Sequence, residues 1–435
     1  MTITRFAVSA ALAAAVGVAA LVLPGTAGAT TPPSLPQTAS VDAAATWLAG
    51  QFVSGGYIPS ATVPTTPNLS ATANAVLALA TAGVDTATAD AGLAYLETQV
   101  DNFVVVDGSD GPGQLALLIL DAHALGASST AFGSYDLETM LLATEQTAGT
   151  DAGLFGTESQ LADYYAGTYQ QGLALAALAA IGVTGAPVSS AVTWLAGQQC
   201  PDGGWALPDA ALNPCAGKAA QYEGPDTNST ALAAQGLEAQ RSLGATAASS
   251  ATSFLKKAQA ADGGWGYEPS SRTRTTDPDS TALVLQALLA LGAAPSSPTF
   301  TKSGVDGVAS LESFQLSSGA IEFPGEGASQ LATYQAIPAL AGVTFGYDLG
   351  SPTVTRVAPS KGAATGGTKV HITGTGFAEV GSVLFGGTPA TSYTLESGST
   401  IVAVAPAGTA GTVEVTVSSP AGTSPTTGAT VFTYR

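Results

Sequence analysis

Residues 194–205 read WLAGQQCPDGGW, residues 254–265 read FLKKAQAADGGW, and residues 47–57 read WLAGQFVSGGY. In each, an aromatic is followed four or five residues later by Gln and then by Gly-Gly-aromatic. This describes a helix that runs into a tight turn and hands an aromatic ring back to the core. Glycine suits such a turn because it adopts positive φ without a side-chain penalty, and on this basis Gly204 and Gly264 are expected at positive φ. Looser copies of the pattern stand around Gln99, Gln146 and Gln315. Counting Gln51, Gln99, Gln146, Gln198, Gln259 and Gln315 gives six units spaced by 48, 47, 52, 61 and 56 residues. Repeats of this size are stacked supersecondary units, each too small to bury its own apolar face.

A second helix follows each turn: 71–82, 114–125, 169–181, 229–243, 280–291 and 330–341. These segments are almost entirely Ala, Leu, Val and Gly, the composition of a helix covered on all sides. The first helices carry the charges, Glu97, Glu138, Lys256, Lys257 and Glu312 among them, and so form an outer layer. The expected fold is multidomain: an all-α (α/α)6 toroid of six helical hairpins over 38–345, then a small all-β sandwich over 351–435.

Residues 1–29 have the pattern of a signal peptide: Arg5, an apolar run from Phe6 to Leu23, and Ala27-Gly28-Ala29 as a small-x-small cleavage site. The mature chain is therefore expected to be secreted from a bacterium and not to span a membrane. Cys200 and Cys215 lie in one loop, and an oxidising compartment would join them. Closing such a loop contributes on the order of 3 kcal/mol in the chain-entropy account. A net charge of −19, with 12 basic residues in 435, excludes a phosphate-backbone binder, so no nucleic-acid partner is expected.

From Ser351 onward the pattern alternates. Lys369–Thr373, Ser382–Phe385, Thr400–Val404 and Thr412–Val417 are short β-branched runs between Gly and Pro turns, as in a β-sandwich. The stretch PTVTRVAPSKGAATGGTKVHITGTGF, with VLFGGTPAT and VTVSSPAGTS after it, closely resembles an IPT/TIG domain. That resemblance implies an immunoglobulin-like spacer or adhesion module, with cell-surface components as its partners, and no chemistry.

The Gln-x-x-x-x-Gly-Gly-Trp repeats make 38–345 resemble the prenyltransferase and squalene-cyclase repeat superfamily. Its members include terpenoid cyclases, protein prenyltransferase β-subunits, complement thioester domains and the α-domains of cobalamin carriers. Triterpene cyclases start from the middle acid of Asp-x-Asp-Asp-Thr-Ala. Here Asp277-Pro278-Asp279-Ser280-Thr281-Ala282 keeps the first two acids and lacks the third. The fourth unit repeats the place as Asp226-Thr227-Asn228-Ser229-Thr230-Ala231, and recurrence argues for something every unit needs. A helix cap is such a need, and capping is the leading reading of Asp226, Asn228, Asp277 and Asp279. Asp279 is the one catalytic candidate, as a proton donor. A single toroid lacks the second helical domain that encloses a cyclase cavity.

Other precedents fail. The toroid has a single His, His123, and no Cys-Gly-Glu-Gln, so neither the zinc chemistry of prenyltransferases nor a thioester is expected; no metal and no cofactor is assigned. (α/α)6 rings also serve polysaccharide hydrolases and lyases, and Glu223, Glu268, Glu322 and Glu326 are loop acids that leave a carboxylate pair open. The turns and inner-helix starts converge at one end of the ring, where Tyr164, Tyr165, Tyr222, Asp226, Asn228, Tyr267, Asp277 and Asp279 form the candidate ligand face. Trp205 and Trp265 read as turn-locking core residues. The main functional reading is a secreted, non-enzymatic binding protein for a small molecule or glycan, a cobalamin-like ligand included. The alternative is a terpenoid-cyclase-like or carbohydrate-active enzyme on the same toroid.

Overall fold

The computed structural model describes residues 38–345, apart from 210, 217–223 and 270–275, and residues 352–435, apart from 376, 378–379, 398–399, 420–421, 425 and 427–429. The segment read as a signal peptide, and Tyr222 and Glu223, lie outside the described residues. Among the described residues no helix is long and apolar enough to cross a membrane.

Outer and inner helices alternate along the helical domain. In chain order they are α1 (Thr38–Ala49) and α2 (Leu69–Ala82), then α3 (Thr86–Glu97) and α5 (Pro112–Ala124), with the short α4 (Val100–Val104) between them. Next come α6 (Leu137–Leu142) and α8 (Thr168–Ala180), with the short α7 (Glu158–Ala162) between them, then α9 (Ala186–Gly197) and α10 (Thr227–Ala239), α11 (Ala245–Ala258) and α12 (Pro278–Ala290), and α13 (Gly307–Glu312) and α14 (Gln330–Ala341). Each outer helix packs first on the inner helix before it, α3 on α2, α6 on α5, α9 on α8, α11 on α10, α13 on α12 and α1 on α14. Inner helices α2, α5, α8, α10, α12 and α14 each pack on the next, and α14 packs back on α2, which closes the ring. Small residues permit this. A Cβ on Gly236 would lie 2.2 Å from the Gly172 carbonyl oxygen, and one on Gly172 would lie 2.3 Å from that of Leu232, so α8 and α10 meet backbone to backbone.

The repeat is written in hydrogen bonds. The backbone N–H of Ile58, Phe155, Trp205, Trp265 and Ile321 donates to the side chain of Thr72, Gln171, Thr230, Thr281 and Thr333 on its own inner helix, at 2.9–3.0 Å. This register corrects the sequence alignment. Ile58 and Ile321, not Tyr57 and Phe323, stand where Trp205 and Trp265 stand, each fully buried. The structural Gln of the fourth unit is Gln199 rather than Gln198: like Gln259 and Gln315, its Nε2 donates both to its own turn and to the next unit's outer layer. Trp205 and Trp265 are core residues whose indole N–H groups donate to Leu195 and Leu255 carbonyls, near the ends of their own outer helices.

Positive φ falls on Gly203 (99°) and Gly263 (88°), not on Gly204 and Gly264 as expected. The first glycine takes the left-handed bend and lies against the next unit's backbone, with a Cβ on Gly263 placed 2.6 Å from the Val305 carbonyl oxygen. The second is small because the core is full there: a Cβ on Gly264 would come within 2.3 Å of Thr276 Cγ2.

After α14 the chain turns inward. Val343 is buried among residues of the opposite half of the ring, and the Phe345 N–H donates to Gln235 Oε1 of α10 at 3.3 Å. Phe345, Leu125, Leu291 and Ala341 pack against both halves of the core, so the C-terminal end of the inner helices is plugged. The N-terminal end remains for a site.

Three two-residue hairpins decorate the toroid: β1/β2 (Val105–Val106, Ser109–Asp110), β3/β4 (Thr301–Lys302, Val305–Asp306) and β5/β6 (Glu322–Phe323, Gly327–Ala328). The second domain is a sandwich of β7 (Thr353–Ala358), β8 (Lys361–Gly362), β9 (Lys369–Thr375), β10 (Ser382–Phe385), β11 (Thr388–Pro389), β12 (Ser392–Ser397), β13 (Thr400–Val404), β14 (Gly411–Ser419), β15 (Gly422–Thr423) and β16 (Val431–Tyr434). One sheet runs β12-β13-β9-β7 and the other β11-β10-β14-β16-β8, with β15 on β14. Alternate residues such as Val370, Ile372, Val415, Val417, Phe385 and Phe432 fill the space between them.

Candidate functional site

Counting along each inner helix from the residue that accepts the turn N–H, positions two before and two after share a face, with the position five after below them. Two before are Ser70, Tyr169, Asn228, Asp279 and Leu331; two after are Asn74, Leu173, Leu232, Leu283 and Gln335; five after are Leu77, Ala176, Gln235, Gln286 and Pro338. This face looks at the ring axis. Tyr169 and Tyr334 sit on inner helices on opposite sides of the ring, yet the charge of Tyr169 acts on Tyr334, and the charge of Asp279 acts on both. The upper positions are exposed or half-buried, Leu331 being 43% exposed, whereas Leu232, Leu283, Gln235 and Gln286 are buried. The axis is therefore a cup, open at the inner-helix N-termini, with a leucine shelf inside and the Phe345 plug beneath.

The caps set the polar groups of the rim. Asp226 Oδ1 accepts the Ser229 N–H and Asp277 Oδ1 accepts the Ser280 N–H, each at 2.7 Å, while Asn68 and Ser329 cap α2 and α14. The Tyr267 N–H donates to Asp277 Oδ2 at 3.3 Å. Capping thus falls on Asp226 and Asp277. It does not fall on Asp279 or Asn228, which lie two residues further in, about half a turn into the helix; here the capping expectation is corrected. The reason is geometric, since only the residue before the first helical position can fold its side chain back on the free N–H groups.

Asp279 is left with another role to play. Its Oδ1 is buried and has no hydrogen-bond partner among the described residues. Desolvation, helped by the negative charges of Asp277 and Glu326, pushes its carboxyl up to about 7. Asp226 is pushed up to about 6 by burial, against the opposing pull of N–H groups from Ser229, Asn228 and Leu207. Tyr169 is raised to about 12, first by burial and then by the charges of Asp226 and Asp279, so its hydroxyl stays protonated at neutral pH. Burial also raises Tyr334 and Tyr267, the latter with its hydroxyl facing Asp226. A carboxylic acid that keeps its proton near neutrality, in a half-buried apolar cup among hydroxyls, can donate that proton to a weakly basic group.

The structure brings Asp226, Tyr267, Asp277 and Asp279 together and places Asn228 on the same axial face. Tyr164 (56% exposed) and Tyr165 (44%) lie on the rim with Tyr267, and Tyr164 holds a left-handed backbone at φ 64°. Tyr169 and Tyr334 were missed by sequence reasoning. The signal for Tyr169 was register: it stands two before Gln171, as Asp279 stands two before Thr281. Among the described residues no group of three or more His, Cys, Asp or Glu is arranged to hold a metal ion. Cys200 and Cys215 are joined, with Cα atoms 5.4 Å apart.

Comparison with known proteins agrees with both domains. Residues 139–280 match the squalene-hopene cyclase C-terminal domain, a span that includes Asp277 and Asp279, and residues 352–434 match the IPT/TIG domain. No curated protein sequence matches the chain. Similar solved structures include the type II terpene cyclase MstE from Scytonema without ligand, 18% identical over 71% of this chain and 98% of that one, with a TM-score of 0.47. A variant of MstE in complex with geranylgeranyl dihydroxybenzoate is 17% identical over 71% and 98%, with a TM-score of 0.46. The chain thus joins a cyclase-type helical toroid to a β-sheet IPT/TIG domain.

Proposed function

We propose that the protein is an exported acid catalyst of the terpene-cyclase type, taking an isoprenoid at the open end of its toroid and protonating a double bond from Asp279. One observation carries this reading. Asp279 sits at the second acidic place of Asp277-Pro278-Asp279-Ser280-Thr281-Ala282, caps nothing, and holds its proton to about pH 7. The match of residues 139–280 to a cyclase domain supports it, and puts the enzymatic alternative ahead of the non-enzymatic main reading.

The step balances simply. The Asp279 O–H bond breaks as a C–H bond forms at the less substituted alkene carbon, the π pair supplying the electrons. The tertiary cation left behind is attacked by a neighbouring double bond, water takes a proton from the last cation to leave a cyclic isomer, and the Asp279 carboxylate regains a proton from solvent. Burial matters because it destabilises the carboxylate and so keeps the proton on Asp279 near neutral pH, where an ordinary carboxyl would have lost it. The leader pattern and the disulfide support export, and the IPT/TIG domain is read as a spacer or adhesion module.

Binding without turnover is the second reading, favoured by Ser280, which replaces the third acid of the cyclase sequence, and by Asp277, which is committed to its cap. Incubation with geranylgeraniol and squalene, followed by gas chromatography and mass spectrometry, separates the two. Cyclic isomers formed by the parent and absent with Asp279→Asn are expected; saturable binding with no product returns the protein to the binding class.

A further inference from the structure

The loop between α9 and α10 does more than connect them. Its residues Ala206–Pro208 lie on the N-terminus of α8, in the neighbouring unit: the Pro208 carbonyl accepts the Thr168 N–H at 2.7 Å, and the Ala206 carbonyl accepts the Thr168 hydroxyl at 2.8 Å. The fit is close, because a Cβ on Gly167 would sit 2.4 Å from the Pro208 oxygen. The residue after Thr168 is Tyr169, which the charges of both Asp226 and Asp279 reach. On its other side the lip is continuous with Trp205, whose carbonyl accepts the Asp226 N–H at 3.0 Å.

This lip is held from outside by Asn213, whose Nδ2 donates to the Leu207 carbonyl at 3.0 Å and whose Oδ1 accepts the Gly224 N–H at 2.6 Å, two residues before Asp226. Asn213 is itself held. Asp209 Oδ1 takes the N–H groups of Ala211 and Leu212, and two residues beyond Asn213 the chain is bonded through Cys215 to Cys200. Cys200 is buried beside the turn, where its N–H donates to the Gly204 carbonyl, whereas Cys215 is half-exposed and open to a reductant.

We infer that the Cys200–Cys215 disulfide and Asn213 are positioning residues for the site, acting through the Leu207–Pro208 lip on Asp226 and Tyr169, and that reducing the disulfide weakens ligand binding while the ring stays folded. The ring is independent because its closure rests on inner-helix packing and on the Gln bridges between units, none of which passes through this loop's tip. This inference rests on the reading of the cup as the ligand site, but half of its test needs no ligand. Burial is what holds the Asp226 carboxyl up, so a loosened lip that admits water lowers it. The groups facing Asp226 are Tyr267 from the next turn and Tyr169 from α8, both protonated throughout the range concerned.

The test uses the full-length protein with 13C-labelled aspartate, oxidised or reduced, together with Cys200→Ser/Cys215→Ser and the oxidised Asn213→Ala variant. Geranylgeraniol is the binding probe. Reduction and Asn213→Ala should each move the Asp226 midpoint down from about 6 by about half a unit or more and weaken geranylgeraniol binding roughly tenfold, with far-ultraviolet circular dichroism unchanged. A lowered Asp226 midpoint in a protein that binds no geranylgeraniol supports the positioning role and tells against the proposed substrate class. If the reduced protein unfolds, independence of the ring is refuted and Asn213→Ala alone decides the positioning role. An Asp226 midpoint that stays put in Asn213→Ala overturns it.

Discussion

Gln315 and Ser40, 275 residues apart in the chain, are joined by a 2.8 Å hydrogen bond from Gln315 Nε2 to the Ser40 carbonyl. The same carboxamide donates to the Gly319 carbonyl, as Gln259 does to Gly263 and Phe300. The bond between the last unit and the first is thus the one that joins consecutive units. Closing the ring needs no special device. Gln315→Ala leaves two carbonyls without their donor at the seam and should cost about 1–3 kcal/mol. Chemical denaturation followed by circular dichroism should register this in the helical transition, with the β-sandwich transition unmoved.

The turn register makes a paired prediction. Ile58→Ala should cost about 2–5 kcal/mol, because Ile58 is a fully buried residue where the fourth and fifth units have Trp. Tyr57→Ala should cost clearly less, since Tyr57 lies at the edge of the core against Tyr95. Comparable losses for the two variants in thermal denaturation would contradict the hydrogen-bond register.

Capping predicts a contrast within one turn. Asp277→Ala should cost about 0.5–2 kcal/mol and Asp277→Asn little, because the side-chain oxygen that accepts the Ser280 N–H is kept in Asn. Asp279→Asn should stabilise. Its carboxyl is held at about 7 in the fold against an ordinary 3.8, so the native state binds the extra proton and the parent loses stability as pH rises from 4 to 7. Asn has no proton to lose, and its stability curve should be flatter in that window.

Asp121 is a second buried acid, on the inner helix α5, with neither oxygen partnered among the described residues and its pKa raised well above 3.8 by burial. The sign is the same: its neutral form is tolerated and its charged form is not, so stability falls as pH rises above 3.8. Asp121→Leu should therefore raise the melting temperature at pH 7 by several degrees. A drop would indicate that the acid has a structural use.

How much of this was legible in the sequence follows from what kind of interaction each residue makes. The Gln, the Gly-Gly turn and the Ala-Leu inner helix are local and repeat in the chain, so six hairpins and a ring could be read from them. The slip of one at Tyr57 arose because Ser-Gly-Gly-Tyr and Asp-Gly-Gly-Trp align by letter, whereas the backbone counts from the turn and brings Ile58 to the Thr72 hydroxyl. The same blindness hid Tyr169. Its marker residue is Gln171 rather than Thr, so the position that carries Asp279 in the fifth unit was not recognised in the third. Tyr334 could not be found at all by local reasoning, since it meets Tyr169 only across a closed ring. Asp279 is legible as the one catalytic candidate, yet capping leads its reading, because a recurring acid before a helix carries no sign of which residue in it is spare.

The central claim is that Asp279 carries a proton near neutral pH in the open cup. Carboxyl titration by 13C nuclear magnetic resonance, with Asp279→Asn to assign the signal, measures this without any ligand. The account predicts a midpoint near 7, well separated from the exposed aspartates. A midpoint near the ordinary 3.8 would leave Asp279 ionised at neutral pH and remove the acid on which the proposed chemistry depends.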